Sequence, residues 1–510
     1  MSGQTMIDEI VSWLQTAAPD ARLVSDSRKV GRGDVFLAYP GDASDGRRYI
    51  EAALAQGAAA VLAEADGLEW NPEWQQAYRA VPGLRHRVGE IANRYYGRPD
   101  AGMFTVAVTG TNGKTSCTQW LGRALSRLGS PTAVIGTLGI GLFRGGVHGS
   151  LSMTGLTTPD AAVLQCELAK QQKAGATALA IEASSIGLHQ GRLNGLHFDV
   201  AVFTNFTRDH LDYHGDMTAY EEAKRMLFDW PGLKHAVVNL DDDMGLRLIE
   251  AMQQKNGGVQ LIGYSLRGRA VSGLSTLCAS DVRSSHGGTA FRLESSFGNA
   301  NVKTQLVGEF NVSNVLAILG VLLAKGIAFK TAVEAIEALT PVPGRMQQVG
   351  GQDAPLVVID YAHTPDALEQ ALKALRQVAE QRGGQLWCVF GCGGDRDPGK
   401  RPQMGAVSEL ADHIIVTSDN PRSEEPAAII SQITAGIAPA RMTAGTLHVH
   451  EDRAGAILWA VRHAARNDVV LLAGKGHEAY QEIKGKKLPF LDADHAALAL
   501  AARVTMKGIH

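Results

Sequence analysis

The sequence is poor in cysteine and has no marked excess of charge of either sign. Five cysteines among 510 residues (Cys117, Cys166, Cys278, Cys388 and Cys392) are odd in number and scattered. That speaks against a disulfide framework and fits a reducing compartment. Cys388 and Cys392, in "LWCVFGCGG", have no second pair or nearby histidine, so core packing beside a glycine turn is expected there and not a zinc site. A formal net charge of -3 leaves no basic surface for nucleic acid, and none is expected as a partner. The longest apolar run, "VLAILGVLLA" (315–324), ends at Lys325 and is too short to span a bilayer. It reads as a buried helix. The start, "MSGQTMIDEIVSWLQTAAPD", lacks the basic-then-apolar order of a signal peptide. No membrane association and a cytoplasmic location are therefore expected. There is no repeat and no low-complexity tract.

What is present is material for sizeable cores: 45% hydrophobic and 20% charged residues, enough for about three domains at roughly 150 residues each. The first hundred residues alternate short apolar strands ("DVFLAYP", "AAAVLAEA") with helical stretches, a small α/β unit. "RPDAGMF" (98–104) is a joint, and so is "LTPVPGRM" (339–346). Between them "TVAVTG", "ATALAIEAS", "DVAVFTN" and "HAVVNLD" alternate with helical segments, the order of a doubly wound, mainly parallel sheet. After the second joint, "PLVVIDYA", "QLWCVFG", "HIIVTSD" and "DVVLLAG" predict another open α/β sheet of Rossmann-like form. The expected domains are 1–99, 100–340 and 341–510, and both joints are expected to act as hinges. In open sheets of this kind ligands sit beyond the carboxyl ends of the strands.

Gly110, Thr111, Asn112, Gly113, Lys114, Thr115 and Ser116 lie between a predicted strand and a predicted helix. The glycines let backbone N–H groups turn toward phosphate oxygens, and the helix N-terminus adds partial positive charge. Lys114 suits the β- and γ-phosphates of a nucleotide and Thr115 a Mg²⁺ ion. The loop is shorter than the GxxxxGK[ST] pattern, and a tight glycine turn with a surface lysine is the competing reading. Glu182 stands just past the next strand, where a carboxylate can reach a metal. Asn205, Asp209, His210, Asp212 and His214 follow another. His210 and His214 could begin a zinc site but have no evident third ligand, and His210 as a ligand of a nucleotide-linked Mg²⁺ is the sharper reading against plain loop polarity. On the residues alone Lys224, in "YEEAKRMLF", reads as a solvated helix lysine. A phosphate loop by itself does not separate a kinase, a switch and a ligase.

Taken together, GTNGKT (110–115), EASS (182–185), the NxxxDHLDxH segment from Asn205, "GEFNVSN" (308–314), "GRM" (344–346) and "DYAHTPDAL" (360–368) resemble the Mur ligase family, in its order and over nearly the whole chain. The resemblance implies an ATP-dependent amide-bond enzyme of peptidoglycan precursor synthesis, acting through an acyl phosphate. It implies that Lys114 and Thr115 hold the phosphates and a Mg²⁺ ion, with Glu182 and His210 as further metal ligands. It also implies that Lys224 carries a CO2-derived carbamate that serves as an anionic ligand. Asn311, Arg345 and Asp360 match positions on the adenine and ribose side of ATP, with Tyr361 and His363 nearby. Ser25 and Ser27 in "DSR", and Asp42, Ala43 and Ser44 before "DGRR", match nucleotide-sugar positions. Thr157, Thr158, Ser184, Gln190 and Arg192 match contacts to the sugar and its peptide. Leu156 and Ile186 stand where some relatives have asparagine and histidine.

"GCGGDRD" and "DNPR" resemble the members that add diaminopimelate to a UDP-N-acetylmuramoyl dipeptide. That acceptor differs from lysine by a carboxylate, and arginine's planar fork suits a carboxylate. Arg422 is the expected reader, in a turn shaped by Asp419, Asn420 and Pro421. Arg396 is expected on the other carboxylate, with Gly474 and Glu478 near the ammonium groups. A metal site centred on "GGDRD" is the competing local reading. A lysine-adding ligase, a folylpolyglutamate synthase, a simple kinase and a nucleotide-driven switch remain as alternatives. A monomer is expected.

Overall fold

The computed structural model describes residues 3–507 apart from 43, 256 and 286. Strands Leu23–Val24, Val35–Ala38, Ala60–Glu64 and Ala77–Val81 form a parallel four-stranded sheet in that order. Its apolar face is closed by the helices Gly3–Ala17 and Leu84–Tyr95, and also by Ala161 and Ala162 of the helix Ala161–Lys173, which belongs to the next layer. A second, 11-stranded sheet follows. Its parallel body runs in space Ser275–Ser285, Gln260–Ser265, His235–Asn239, Val200–Phe203, Phe104–Thr109, Ala178–Glu182, Thr132–Gly136. Antiparallel strands extend it at both edges, Gly288–Ser295 and Gly298–Thr304 on one side and Gly139–Arg144 and Val147–His148 on the other. The central strands are β-branched, alanine-rich and buried on both faces, as a sheet covered by helices requires.

The apolar run near residue 320 lies in the helix Glu309–Ala324, whose Val315–Leu322 stretch is buried against the central sheet. No helix among the described residues is long and apolar enough to cross a membrane. The third sheet orders Gln347–Gly350, Leu356–Asp360, Val469–Ala473, Leu386–Phe390, His413–Val416 and Leu447–Val449, all parallel except the first. Cys388 and Cys392 are free and buried in its core.

Both joints carry specific contacts. At the first, the Asp100 carboxylate accepts from Asn93 Nδ2 at 2.7 Å and from the His197 backbone N–H at 2.8 Å. Beside it, Gly89 of the helix Leu84–Tyr95 meets Asn194 so closely that an added Cβ would overlap the Asn194 carbonyl oxygen. Packing here opposes independent motion of the N-terminal layer. At the second, Thr340 O accepts from Trp120 Nε1 at 2.9 Å, so this joint is tied to the helix that follows the phosphate loop.

Because backbone atoms of Asn194 cannot yield as a flexible side chain can, Gly89→Ala is expected to destabilise the folded chain by about 1–3 kcal/mol, the usual cost of overpacking. Urea unfolding of the variant measures it; an unchanged midpoint would show that the contact has slack.

Candidate functional site

Contacts of Asn112 with Asp366 and of Thr115 with Arg345 join the carboxyl ends of the second and third sheets, and the phosphate-loop residues read from the sequence lie there. Strand Phe104–Thr109 ends at Gly110 (φ 144°), the loop turns at Gly113 (φ 88°), and the helix Lys114–Arg127 begins. A side chain at Gly110 would collide with Thr204 Oγ1, and one at Gly113 would lie 2.6 Å from Asn314 Oδ1. Both glycines are required by approach as well as by φ. The loop is laced to the segment 204–207: Thr111 N donates to Asn205 O at 2.8 Å, Asn112 N to Asn205 Oδ1 at 2.8 Å, and Thr204 Oγ1 to Asn112 O at 2.6 Å. Asn112 Nδ2 also reaches Asp366 Oδ2 of the third domain at 3.2 Å. Lys114 Nζ donates to Gly110 O and Thr111 O, both at 2.8 Å.

Lys224 corrects the reading as a solvated helix lysine. It lies on the helix Met217–Arg225 but is 1% exposed, with its Nζ 2.8 Å from Gly110 O and 4.4 Å from the centre of the Tyr220 ring. Burial first, and then the Lys114 charge, push its pKa well below that of an ordinary lysine. The local pattern could not show this, because the groups that bury it come from residues far away in sequence. The neutral amine, which burial favours, is the form whose nitrogen attacks CO2, so the position fits a carbamate.

Glu182 closes strand Ala178–Glu182 and is 1% exposed. It accepts from Thr115 Oγ1 at 3.0 Å, Thr137 N at 2.8 Å and Thr137 Oγ1 at 3.0 Å. Burial raises its pKa, and the Lys114 charge and these donors only partly offset that. A buried carboxylate short of positive compensation, next to a threonine hydroxyl, fits a divalent cation. His210 stands in the left-handed region (φ 54°), its Nε2 3.5 Å from Asp209 Oδ2. Among the described residues no group of three or more His, Cys, Asp or Glu side chains is arranged to hold a metal; the set here would need Thr115 and a modified Lys224.

From the third domain, Arg345 Nη2 donates to Thr115 Oγ1 at 3.1 Å while its guanidinium lies 4.4 Å from the Tyr361 ring centre. Asp360, ending strand Leu356–Asp360, accepts from Met346 N at 2.8 Å. Asn311 is buried, its Nδ2 on Val307 O at 2.8 Å. Ser116 is buried on the first turn of the phosphate-loop helix.

A second cleft, of about 180 Å³, opens between the first two domains and is lined by Tyr39, Asp42, Arg85, Asp160, Gln190 and Arg192 among others. Arg85 Nη1 pairs with Asp42 Oδ1 at 2.7 Å, and Gln190 Nε2 donates to Asp42 Oδ2 at 2.5 Å. Arg192 Nη1 reaches Thr158 O at 2.7 Å. Thr158 Oγ1 lies 2.8 Å from Ser184 Oγ, which caps the helix Ser185–His189. Thr157 Oγ1 is 3.1 Å from Thr137 Oγ1, which donates to Glu182, so these hydroxyls lead to the carboxylate beside the phosphate loop. Ser25 bonds the Tyr39 hydroxyl, Ser27 opens a short helical turn, Ser44 is exposed, and Ala43 lies outside the described residues. Tyr39, Arg85 and Thr137 were not singled out from the sequence. Arg85, in "LRHRV", sits in a basic cluster at a helix start, the one signal that could have marked it; Thr137 carries none.

The third group of residues surrounds the turn after strand His413–Val416. Arg422 is left-handed (φ 52°), held by Arg422 N to Glu482 O at 3.0 Å and Lys484 N to Arg422 O at 2.7 Å. Its Nη1 donates to Gly394 O at 2.7 Å, bringing "GCGGDRD" against "DNPR". Pro421 packs over Gly394, where a Cβ would overlap the Pro421 carbonyl oxygen. Asp419 and Asn420 are buried; Asn420 Nδ2 donates to Glu478 Oε2 at 2.7 Å. Gly474 (φ 107°) leaves room for the Asp419 carboxylate. Arg396 is exposed, its Nη1 on Asp395 O at 2.9 Å. Arg401 and Glu424 pair bidentately at 2.8 Å beneath both loops.

Comparison with known proteins adds the family context. Residues 22–96 match the Mur ligase family catalytic domain, 108–322 the Mur ligase middle domain, and 344–476 the Mur ligase glutamate ligase domain. The chain is similar to the UDP-N-acetylmuramoyl-L-alanyl-D-glutamate–2,6-diaminopimelate ligase of Janthinobacterium sp., 66% identical over 98% of both chains. It is 48% identical to the ligase of the same name from Pseudomonas aeruginosa, over 94% of this chain and 95% of that one. A solved structure of such a ligase superposes with a TM-score of 0.66 at 38% identity, covering 96% of this chain and 99% of that one. The fold also matches a MurF ligase from Thermotoga maritima in complex with ADP, TM-score 0.65 at 19% identity, over 96% and 98% of the two chains.

Three histidines around these clefts are disfavoured in their charged form. Burial leads in each case, joined by Lys400 for His363, His210 and His189 for His214, and Arg345 and Lys475 for His477. His363 and His214 are pushed down to about 4 and His477 to about 3. In the unfolded chain they protonate near pH 6.5. Stability from these groups is therefore complete above pH 6.5 and falls as pH drops toward 4, because the unfolded state binds more protons. His197, raised by its hydrogen bond to Asp100, acts in the opposite sense. His210, His413 and His448 are lowered as well, burial leading in each, so urea midpoints should fall from pH 7 to pH 5, and less steeply in His477→Gln. A flat midpoint over that range would contradict the account.

Proposed function

This chain belongs to the Mur ligase family, and from that premise we propose its reaction and the residues that carry it out. It is an ATP-dependent ligase of peptidoglycan precursor synthesis. It joins an amino group of meso-2,6-diaminopimelate to the D-glutamate γ-carboxylate of UDP-N-acetylmuramoyl-L-alanyl-D-glutamate. The observation that carries this reading is the 66% identity, along the full chain, to a ligase of that name.

A carboxylate does not acylate an amine, because the group it would expel is a poor leaving group. ATP solves this: a carboxylate oxygen attacks the γ-phosphorus, ADP departs, and an acyl phosphate forms. The amine nitrogen, having lost a proton, then attacks the acyl carbon and expels phosphate. Two anions must meet in the first step, so fixed cations and oriented donors are needed. Lys114 supplies one cation at the phosphate loop, with Gly110, Thr111, Asn112, Gly113, Thr115 and Ser116 shaping the cradle. Arg345, beside Thr115, brings a second from the third domain. Asn311 and Asp360 are assigned to the nucleoside. Thr115, Glu182, His210 and a carbamylated Lys224 would hold Mg²⁺, which when bound screens the charge of the transferred phosphoryl group.

The cleft around Asp42 and Gln190 is assigned to the UDP-sugar peptide, with Ser25, Ser27, Ala43, Ser44, Thr157, Thr158, Ser184 and Arg192. The linked hydroxyls from Thr157 to Glu182 support delivery of the peptide's carboxylate toward the phosphate loop. The domains 1–99, 100–340 and 341–510 would then bind nucleotide-sugar, ATP and acceptor in turn. A cytoplasmic location and a monomeric state complete the proposal. Arg422 and Arg396 are assigned to the acceptor's carboxylates.

Phosphate release with Mg²⁺, ATP and the UDP-N-acetylmuramoyl dipeptide tests the reading: diaminopimelate should drive it and L-lysine should not. Release with lysine would give the lysine-adding alternative, and release with neither would favour a switch. Truncating one partner of a buried charge pair costs about 2–5 kcal/mol, roughly thirtyfold to several thousandfold in affinity. Arg422→Ala should therefore lose diaminopimelate selectivity while retaining ATP binding. Retained selectivity would remove Arg422 from its assigned role.

A further inference from the structure

We propose that Lys475 is a positioning residue for the acceptor amino acid: its buried ammonium fixes the Asn420 amide and holds the Glu478 carboxyl group by one oxygen, leaving the other for the acceptor's ammonium group. The inference rests on the assignment of diaminopimelate to this pocket.

Lys475 follows Gly474 at the carboxyl end of strand Val469–Ala473 and is 0% exposed. Lysines are almost never fully buried unless paired. Its ammonium has three donors, and three acceptors surround it: Asn420 Oδ1 at 3.2 Å, Glu478 Oε2 at 3.1 Å and Tyr480 O at 2.6 Å. Two of these partners are residues assigned to the acceptor. The contacts also decide how Asn420 is turned. Lys475 Nζ and Glu482 N, 2.9 Å away, can only donate, so the amide oxygen must face them. The amide nitrogen is thereby directed to Glu478 Oε2 at 2.7 Å. Both contacts converge on Oε2, so among the described residues Oε1 is the oxygen left for a ligand.

The charges give this arrangement a function beyond packing. Burial, followed by the nearby Asp419 charge, raises the Glu478 pKa, while Lys475 and the Asn420 amide pull it back. Two other groups act on it from neighbouring elements. Arg453, on the helix Arg453–His463, is engaged bidentately with Asp492 at 2.8 and 2.7 Å. Tyr361 keeps its proton through burial, helped by Glu478 itself. Among the described residues, Lys475 is therefore the cation in direct contact with Glu478. Without it a buried carboxyl beside a carboxylate would take up a proton, and a neutral acid attracts an ammonium group poorly.

The test is steady-state kinetics of the full chain, with kcat and KM for diaminopimelate, ATP and the UDP-dipeptide measured from pH 6 to 9 for wild type, Lys475→Met, Glu478→Gln and the double variant. Lys475→Met should raise the diaminopimelate KM by about tenfold or more and leave the ATP KM within about twofold. The acidic limb of kcat/KM for diaminopimelate should move to higher pH in Lys475→Met and disappear in Glu478→Gln. In the Glu478→Gln background, Lys475→Met should add little, because one residue acts through the other. Equal rises in all three KM values, or an unmoved acidic limb, would reduce Lys475 to a structural tie and overturn the proposal. If Lys475→Met does not fold, the isosteric Glu478→Gln decides alone: an acidic limb unchanged from wild type overturns the proposal. Wild-type chain that turns over diaminopimelate while Lys475→Met behaves identically sinks the role of Lys475 alone. Wild-type chain with no diaminopimelate turnover sinks the acceptor assignment and the inference with it.

Discussion

Two ammonium groups, from Lys114 and Lys224, converge on the single carbonyl of Gly110. Few arrangements are less stable in a low-dielectric interior, where like charges repel strongly and each charge loses its hydration. The structure eases it by disfavouring the charged form of Lys224, through burial and the Lys114 charge, and by setting the Glu182 carboxylate near Lys114. What surrounds the loop follows from that balance: the carbonyl cage under Lys114, the aromatic face of Tyr220, and the hydroxyls of Thr115 and Thr137 on Glu182. A polyanion such as ATP would meet a cradle in which Lys114 and Arg345 are already held by hydrogen bonds.

The same economy of charge recurs on the far side of the cleft. Around the turn at Arg422, arginines are paired or bonded to carbonyls, and each buried carboxylate has a donor. Arg401 joins Glu424 beneath the loops, and Arg453 joins Asp492 behind the strands with neither side chain exposed. Breaking such a pair by removing one partner leaves an uncompensated charge. The pairs thus fix the loops while Arg422 and Glu478 stay partly accessible. Arg422 itself is held left-handed by backbone bonds from the hairpin Tyr480–Pro489, so its direction is set by its neighbours as much as by its own turn.

Much of this was legible in the sequence, and the limits have a physical pattern. The parallel strands could be read because fully buried strands are written as short apolar runs, and the phosphate loop because its glycines sit between a strand and a helix. Glu182 and Arg422 could be placed because strand ends announce them. Lys224 could not, since on a nine-residue helix an outward and an inward lysine have the same local pattern. Arg85 and Thr137 matter through partners dozens of residues away, and Lys475 through Asn420 as well as its near neighbours Glu478 and Tyr480, so local spacing alone did not mark them. The antiparallel strands at the sheet edges were likewise missed, because strands such as Gly298–Thr304 alternate polar and apolar residues without a long apolar signature.

The shared core at the first joint has a consequence for how this chain can be cut and recombined. Because Ala161 and Ala162 complete the hydrophobic interior of residues 7–92, the N-terminal layer is not a freestanding module. A boundary drawn at residue 99 divides the chain in sequence but passes through one core in space. Any exchange of nucleotide-sugar specificity with a relative would have to carry the helix Ala161–Lys173 along with the first hundred residues. A graft made without it would expose an apolar face, and its solubility would report the error before any assay of activity could.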